Sequence, residues 1–237
     1  MLHWLLYTDA GLITRIIAGA CIFAVLAAVD LYHNGRRARR WREYTVLLAA
    51  VALALVYGAL NDQITSRISW EYFYYGKELD KVLGPNIPPD PDRFHWEAAK
   101  VGLKATWSAG LILGVVVLLA NNPHRNWPRL RNRELIRLLL IMPVTAVLCG
   151  ILFGYLGYRG ALTKFDADFQ DMVAANLFRP YPFMATWGVH LGGYIGGAIG
   201  GIIAAGCVIR LRRARLKNAR IESLTRPPPP ATSSPAS

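Results

Sequence analysis

Four residues of this chain combine reactive side chains with an apolar setting: Asp62, Glu71, Lys104 and His190. His190 stands in MATWGVHLGGYIGGAIGGIIAAGCVIR (184–210), whose only charge-bearing side chains are His190 and Arg210. Twenty residues of helix rise about 30 Å, the thickness of a bilayer's hydrocarbon core, so with Arg210 at one boundary His190 reaches the other. Asp62 follows directly on the apolar run 44–60, Glu71 comes soon after, and Lys104 lies just inside the run 101–120. The four are expected to share one layer at the outer face, with His190 within reach of Asp62 or of the Glu71 segment and Lys104 nearby. Such a cluster can bind a divalent ion, relay protons, or act as acid and base on a lipid-linked or periplasmic substrate. It can equally be a structural lock, because a polar group in lipid needs a partner whatever its role. No HExxH, GxSxG or Walker sequence accompanies it. One histidine among scattered carboxylates is a poor zinc signature, so no metal is expected and no cofactor is assigned. DADFQD (166–171) is like a calcium loop without its glycine and terminal glutamate.

The elements that must position these residues are membrane helices. The chain has 237 residues, 54% of them hydrophobic. Five apolar runs are long enough to cross a bilayer: 12–31, 44–60, 101–120, 135–157 and 185–209. A soluble globular domain is excluded, and the expected fold is all-α: a polytopic membrane helix bundle of five transmembrane helices. The bundle occupies 1–212, with outer loops 61–100 and 158–184, and a basic, then proline-rich, disordered cytoplasmic tail covers 213–237. No signal peptide is expected, since MLHWLLYTDAGL has no basic segment and no small-residue cleavage site follows it.

Charge orients the bundle. The connections 31–44 and 121–137 and the segment from Arg210 onward hold seventeen of the 27 basic residues, against Asp30, Glu43, Glu134 and Glu222. The entire net charge of +12 thus falls on one side. The positive-inside rule makes that side cytoplasmic, with the N-terminus outside and the C-terminus inside. These arginines hug helix ends, where topology and anionic lipid explain them, so nucleic acid is not expected as a partner. Asp30 is expected to pair with Arg36 or Arg37, and Arg15 to snorkel outward. Cys21, Cys149 and Cys207 lie in three different runs and read as apolar filler.

In the last run Gly188, Gly192, Gly196 and Gly200 form one row, with Gly193, Gly197 and Gly201 beside it. Small residues every four positions let helix backbones approach closely in lipid. Both rows are expected to pack on protein, within the bundle or in a homo- or hetero-oligomer, so a leucine at Gly197 should not fit. Leu191, Ile195, Ile199 and Ile202 should face lipid. Pro143 should kink the fourth run, whose Gly150, Gly154 and Gly157 offer a second contact surface. Ser69 should cap a short helix reaching Leu79, with Glu71 in its first turn and an aromatic lid at Trp70 and Tyr72–Tyr75. Phe165, Phe169, Val173 and Leu177 have the spacing of an interfacial amphipathic helix.

Asn61-Asp62-Gln63-Ile64-Thr65, Glu71-Tyr72-Phe73, and His190 followed by Gly193-Tyr194-Ile195-Gly196-Gly197 together resemble a group of uncharacterised bacterial multi-pass membrane proteins with an (H/N)DQ(I/V)T…EYF signature. Asn61 stands where the first motif often carries histidine. The resemblance covers most of the membrane core and implies a shared architecture without an assigned activity. Two functions follow from the residues. One is a non-enzymatic membrane component, such as an assembly subunit, a sensor or a permeation protein. The other is an interfacial enzyme acting on a lipid-linked or periplasmic substrate.

Overall fold

A computed structural model describes residues 9–38, 40–84, 89–122, 126–165 and 179–225. Its helices are α1 (Asp9–Asn34), α2 (Arg40–Ile68), α3 (Trp70–Tyr74), α4 (Asp80–Leu83), α5 (Pro91–Ala120), α6 (Asn132–Leu139), α7 (Ile141–Tyr158) and α8 (Pro180–Thr225), and no strand occurs among the described residues. Five segments are long and apolar enough to cross a membrane: Ile13–Asn34, Arg40–Ile68, Pro91–Ala120, Asn132–Tyr158 and Pro180–Thr225. The chain has the elements of a multi-pass membrane protein. The expected amphipathic helix through Phe169, Val173 and Leu177, the Asp166–Asp171 stretch and the tail beyond Thr225 lie outside the described residues.

Several helices run past the apolar segments that nucleate them. Polar Asn61–Ser66 does not end α2, because those side chains find partners: Thr65 Oγ1 bonds the Asn61 carbonyl at 2.8 Å, and Ser66 Oγ meets His95 Nδ1 on α5 at 2.9 Å. Ser69 then caps α3, accepting from the Tyr72 N–H at 3.2 Å, but α3 stops at Tyr74 rather than Leu79. On the far side Asp90 caps α5 with Pro91 in the first helical position, so residues expected in the outer loop are helical from Pro91 on. Residues 213–225 are likewise helical and not a disordered tail, since RARLKNARIESL is built from strong helix formers that extend α8. The fourth span breaks at Leu140, one turn before Pro143, which has no N–H to give the carbonyl of Leu139.

The long helices associate as two antiparallel pairs. In the α2–α5 pair, a Cβ added to Gly102 would overlap the Gly58 carbonyl, and one on Gly110 would come within 2.7 Å of the Ala50 carbonyl. In the α7–α8 pair, Cβ atoms on Gly188, Gly192 and Gly196 would overlap the carbonyls of Phe153, Cys149 and Thr145, while one on Gly157 would overlap that of Met184. Absent side chains thus bring backbone against backbone in both pairs. Helix α1 lies on α2, where Phe23 stacks on Tyr44 with centroids 5.1 Å apart.

Two solid cores join the pairs, one towards each end. At the arginine-rich end Val46, Val117, Leu135, Leu139, Met142, Ala204 and Val208 pack together. Beyond them Arg212, 0% exposed, donates to the carbonyls of Ala120, Trp127 and Pro128. The last carbonyls of α5 carry the negative end of its dipole, so a cation there is satisfied in full. At the other end Tyr72, Phe73, Phe94, Phe183 and Met184 form an aromatic core. Asp30 accepts from the Asn34 side chain at 2.8 Å and from the backbone N–H of Arg40 at 2.9 Å, holding the α1–α2 turn through the backbone of Arg40.

Candidate functional site

Against the aromatic core, α2 and α8 bring Asp62 and His190 together. His190 Nε2 lies 3.7 Å from Asp62 Oδ1 and 3.4 Å from Thr65 Oγ1. The first distance is beyond a hydrogen bond, so the pair interacts by charge and dipole. Asn61 Nδ2 donates to the same Asp62 oxygen at 3.2 Å. Both groups are enclosed, Asp62 3% and His190 9% exposed. The imidazole stacks on Tyr72 at 4.9 Å and 23° and meets the edge of Phe73 at 5.7 Å. The Ser69 cap sets this arrangement by turning the chain so that the α3 aromatics fold over the helix pairs.

Glu71 and Lys104 stand elsewhere. The Glu71 carboxylate, 0% exposed, accepts from its own cap, Ser69 Oγ, at 2.8 Å and from Arg179 Nε, ahead of α8, at 3.3 Å. It ties α3 to α8 and takes no place on the cavity described next. Lys104 is half-buried on α5 and is not in the cavity wall. Lys77 is. Its ammonium sits 5.3 Å above the Tyr72 ring. Burial lowers its pKa below the usual lysine range, while the Asp62 carboxylate pulls it back up. Lys77 could have been suspected from EYFYYGK, where it is the only cation between Arg67 and Lys81 inside a segment too aromatic for water.

Between the two helix pairs and the two cores lies a cavity of about 350 Å³. Its polar wall is gathered in one half, at Tyr57, Asn61, Asp62, Lys77, Thr106, His190 and Tyr194. The remainder is apolar and largely small-sided, with Ala54, Ala105, Ala109, Gly197 and Ala198 along its length and Leu113, Leu139 and Met142 at the far end. The wall residues that are also exposed are Ala105, Ala109 and Ile112 on α5 and Tyr194 and Ala198 on α8. The cavity therefore opens sideways between α5 and α8, onto the surface that faces lipid if these helices cross a membrane.

This arrangement corrects the reading of the second glycine row. A Cβ on Gly197 would meet nothing within 4 Å, because Gly197 faces the cavity and no helix covers it. Neighbouring Gly193 and Gly201 would meet side-chain tips, Tyr57 Oη at 2.7 Å and Leu113 Cδ2 at 2.6 Å. Among the described residues no buried side-chain nitrogen or oxygen lacks a hydrogen-bond partner, and no three His, Cys, Asp or Glu side chains are placed to hold a metal ion. No family model matches the chain, and neither the curated proteins nor the solved structures contain a match.

Proposed function

We propose that this is a bacterial inner-membrane protein, N-terminus outside and C-terminus inside, that holds a membrane amphiphile without transforming it. The carrying observation is the cavity between the helix pairs: apolar along its length, polar at one end, and open sideways between α5 and α8. Ligand pockets share this pattern of apolar walls with a few convergent polar groups. The orientation is supported by the seventeen basic residues of the connections 31–44 and 121–137 and of the segment from Arg210 onward; in that orientation the polar end of the cavity lies at the outer leaflet. A non-enzymatic role, as a sensor, assembly subunit or permeation protein, is favoured because every buried side-chain nitrogen and oxygen among the described residues, those of Asp62 and His190 included, already has a partner before any ligand arrives. The test is mass spectrometry of lipids that copurify with the wild type and with Gly197→Trp, whose indole would project into the cavity and obstruct it midway. A ligand retained equally by both would sink the proposal.

One contact favours catalysis instead, the Asp62–His190 pair at the polar end of the cavity. A histidine beside a carboxylate can move a proton to or from a bound head group. His190→Gln separates the readings. Glutamine still hydrogen-bonds, so a holding protein keeps fold, ligand and cellular phenotype, whereas an acid–base enzyme keeps fold and ligand and loses the phenotype.

A further inference from the structure

The cavity has a measurable depth. Ala50 and Asp62 both line it, and twelve residues of α2 separate them, a rise of about 18 Å. Its inner end is closed by side chains of the solid core: Leu139 is 1% exposed, Met142 belongs to the same cluster, and Leu113 packs on that cluster while pressing toward Gly201. Its width is set by alanine and glycine along α5 and α8, with Gly197 the point where an added Cβ would meet nothing within 4 Å. At the polar end the half-buried Lys77 supplies a cation, whereas the Asp62 carboxylate is enclosed and already accepts from Asn61.

We infer that the cavity takes a single extended alkyl chain ending in a carboxylate, and that Leu113, Leu139 and Met142 limit its length. This rests on the proposal that the cavity holds an amphiphile and narrows the ligand to one chemical class. Carbon–carbon bonds of about 1.5 Å advance about 1.25 Å each in an extended chain, so about 18 Å holds about 14 bonds. The head group then lies against Lys77, and the chain end rests on the core. A two-chain lipid has no room for its second chain, which would have to hang out between α5 and α8. Gly197 lies seven residues below His190, or about 10 Å along α8, so a side chain there would leave space for about eight bonds.

The experiment uses the full chain in phosphatidylcholine nanodiscs, with photoreactive, alkyne-tagged fatty acids ranging from about eight to about twenty carbons. A two-chain phosphatidylcholine probe and the matching fatty alcohols are run alongside. Labelling of α5 and α8 peptides should peak near fourteen to sixteen carbons. It should fall about tenfold for the two-chain probe, a difference of about 1.4 kcal/mol in binding. Gly197→Leu should move the peak to about ten carbons or fewer, and Leu113→Ala should move it upward by about two. Lys77→Met should abolish the preference for acid over alcohol. Thermal unfolding is recorded for each variant; should Leu113→Ala not fold, Gly197→Ala and Gly197→Leu still read the depth. Labelling of the cavity by every chain length alike, by the two-chain probe as strongly, or by acid and alcohol equally in the wild type would overturn this inference and leave the amphiphile proposal standing. No labelling of cavity peptides by any probe would overturn both.

Discussion

Helix α8 carries two glycine rows that differ in what they touch. Gly188, Gly192, Gly196 and Gly200 lie against α7, where added Cβ atoms would collide with its backbone or with Thr145. Gly193, Gly197 and Gly201, one residue further round, meet the tips of Tyr57 and Leu113 or nothing at all. In the first row the missing side chain lets two backbones touch, and in the second it leaves a hollow. Glycine spacing marks a face without side chains, and what fills that face depends on the neighbouring helix.

Four substitutions test the contrast in order of expected effect. Gly192→Leu should be the most damaging, destabilising the bundle by about 3 kcal/mol or more, since neither backbone can yield to a leucine. Chemical unfolding in mild detergent measures this, and wild-type stability would mean α7 and α8 are not in contact there. Gly102→Ala probes whether the α2–α5 pair is equally tight. It should cost about 1–3 kcal/mol, because the new methyl meets the Gly58 carbonyl rather than a flexible side chain. Gly197→Leu should stay within about 0.5 kcal/mol of wild type, like a surface substitution. A loss as large as that of Gly192→Leu would erase the difference between the rows. Ile199→Leu, on the exposed side of α8, should be close to silent in the same measurement, and it sets the baseline for the other three.

Much of the polar layer was legible before the structure. Asp62 and His190 could be placed together by counting residues along helices whose ends were marked by charge, and the structure sets them 3.7 Å apart. Ser69 could be recognised as a cap from its own chemistry, because capping is satisfied within three residues. The lysine on the cavity wall is Lys77 and not Lys104. One apolar run gives the depth of Lys104, whereas Lys77 reaches the cavity through a turn that depends on α3 packing over α2 and α8. Glu71 is expected in the layer of Asp62 and His190, yet its partner Arg179 lies 108 residues away, a pairing that no local pattern announces.

The sequence by itself determined the five membrane-length helical segments, the segregation of basic residues to one set of connections, and the bare face of α8. Each of these is local: lipid forces backbone hydrogen bonds inside the segment, and side-chain type repeats along it at the helical period. Only the tertiary structure decided that the helices associate as two pairs, that Arg212 is buried among three carbonyls, and that the pairs enclose a hollow between two cores. Those outcomes depend on the rotation and separation of several helices at once. They emerge from many weak contacts summed across the bundle, with no single residue to declare them in advance.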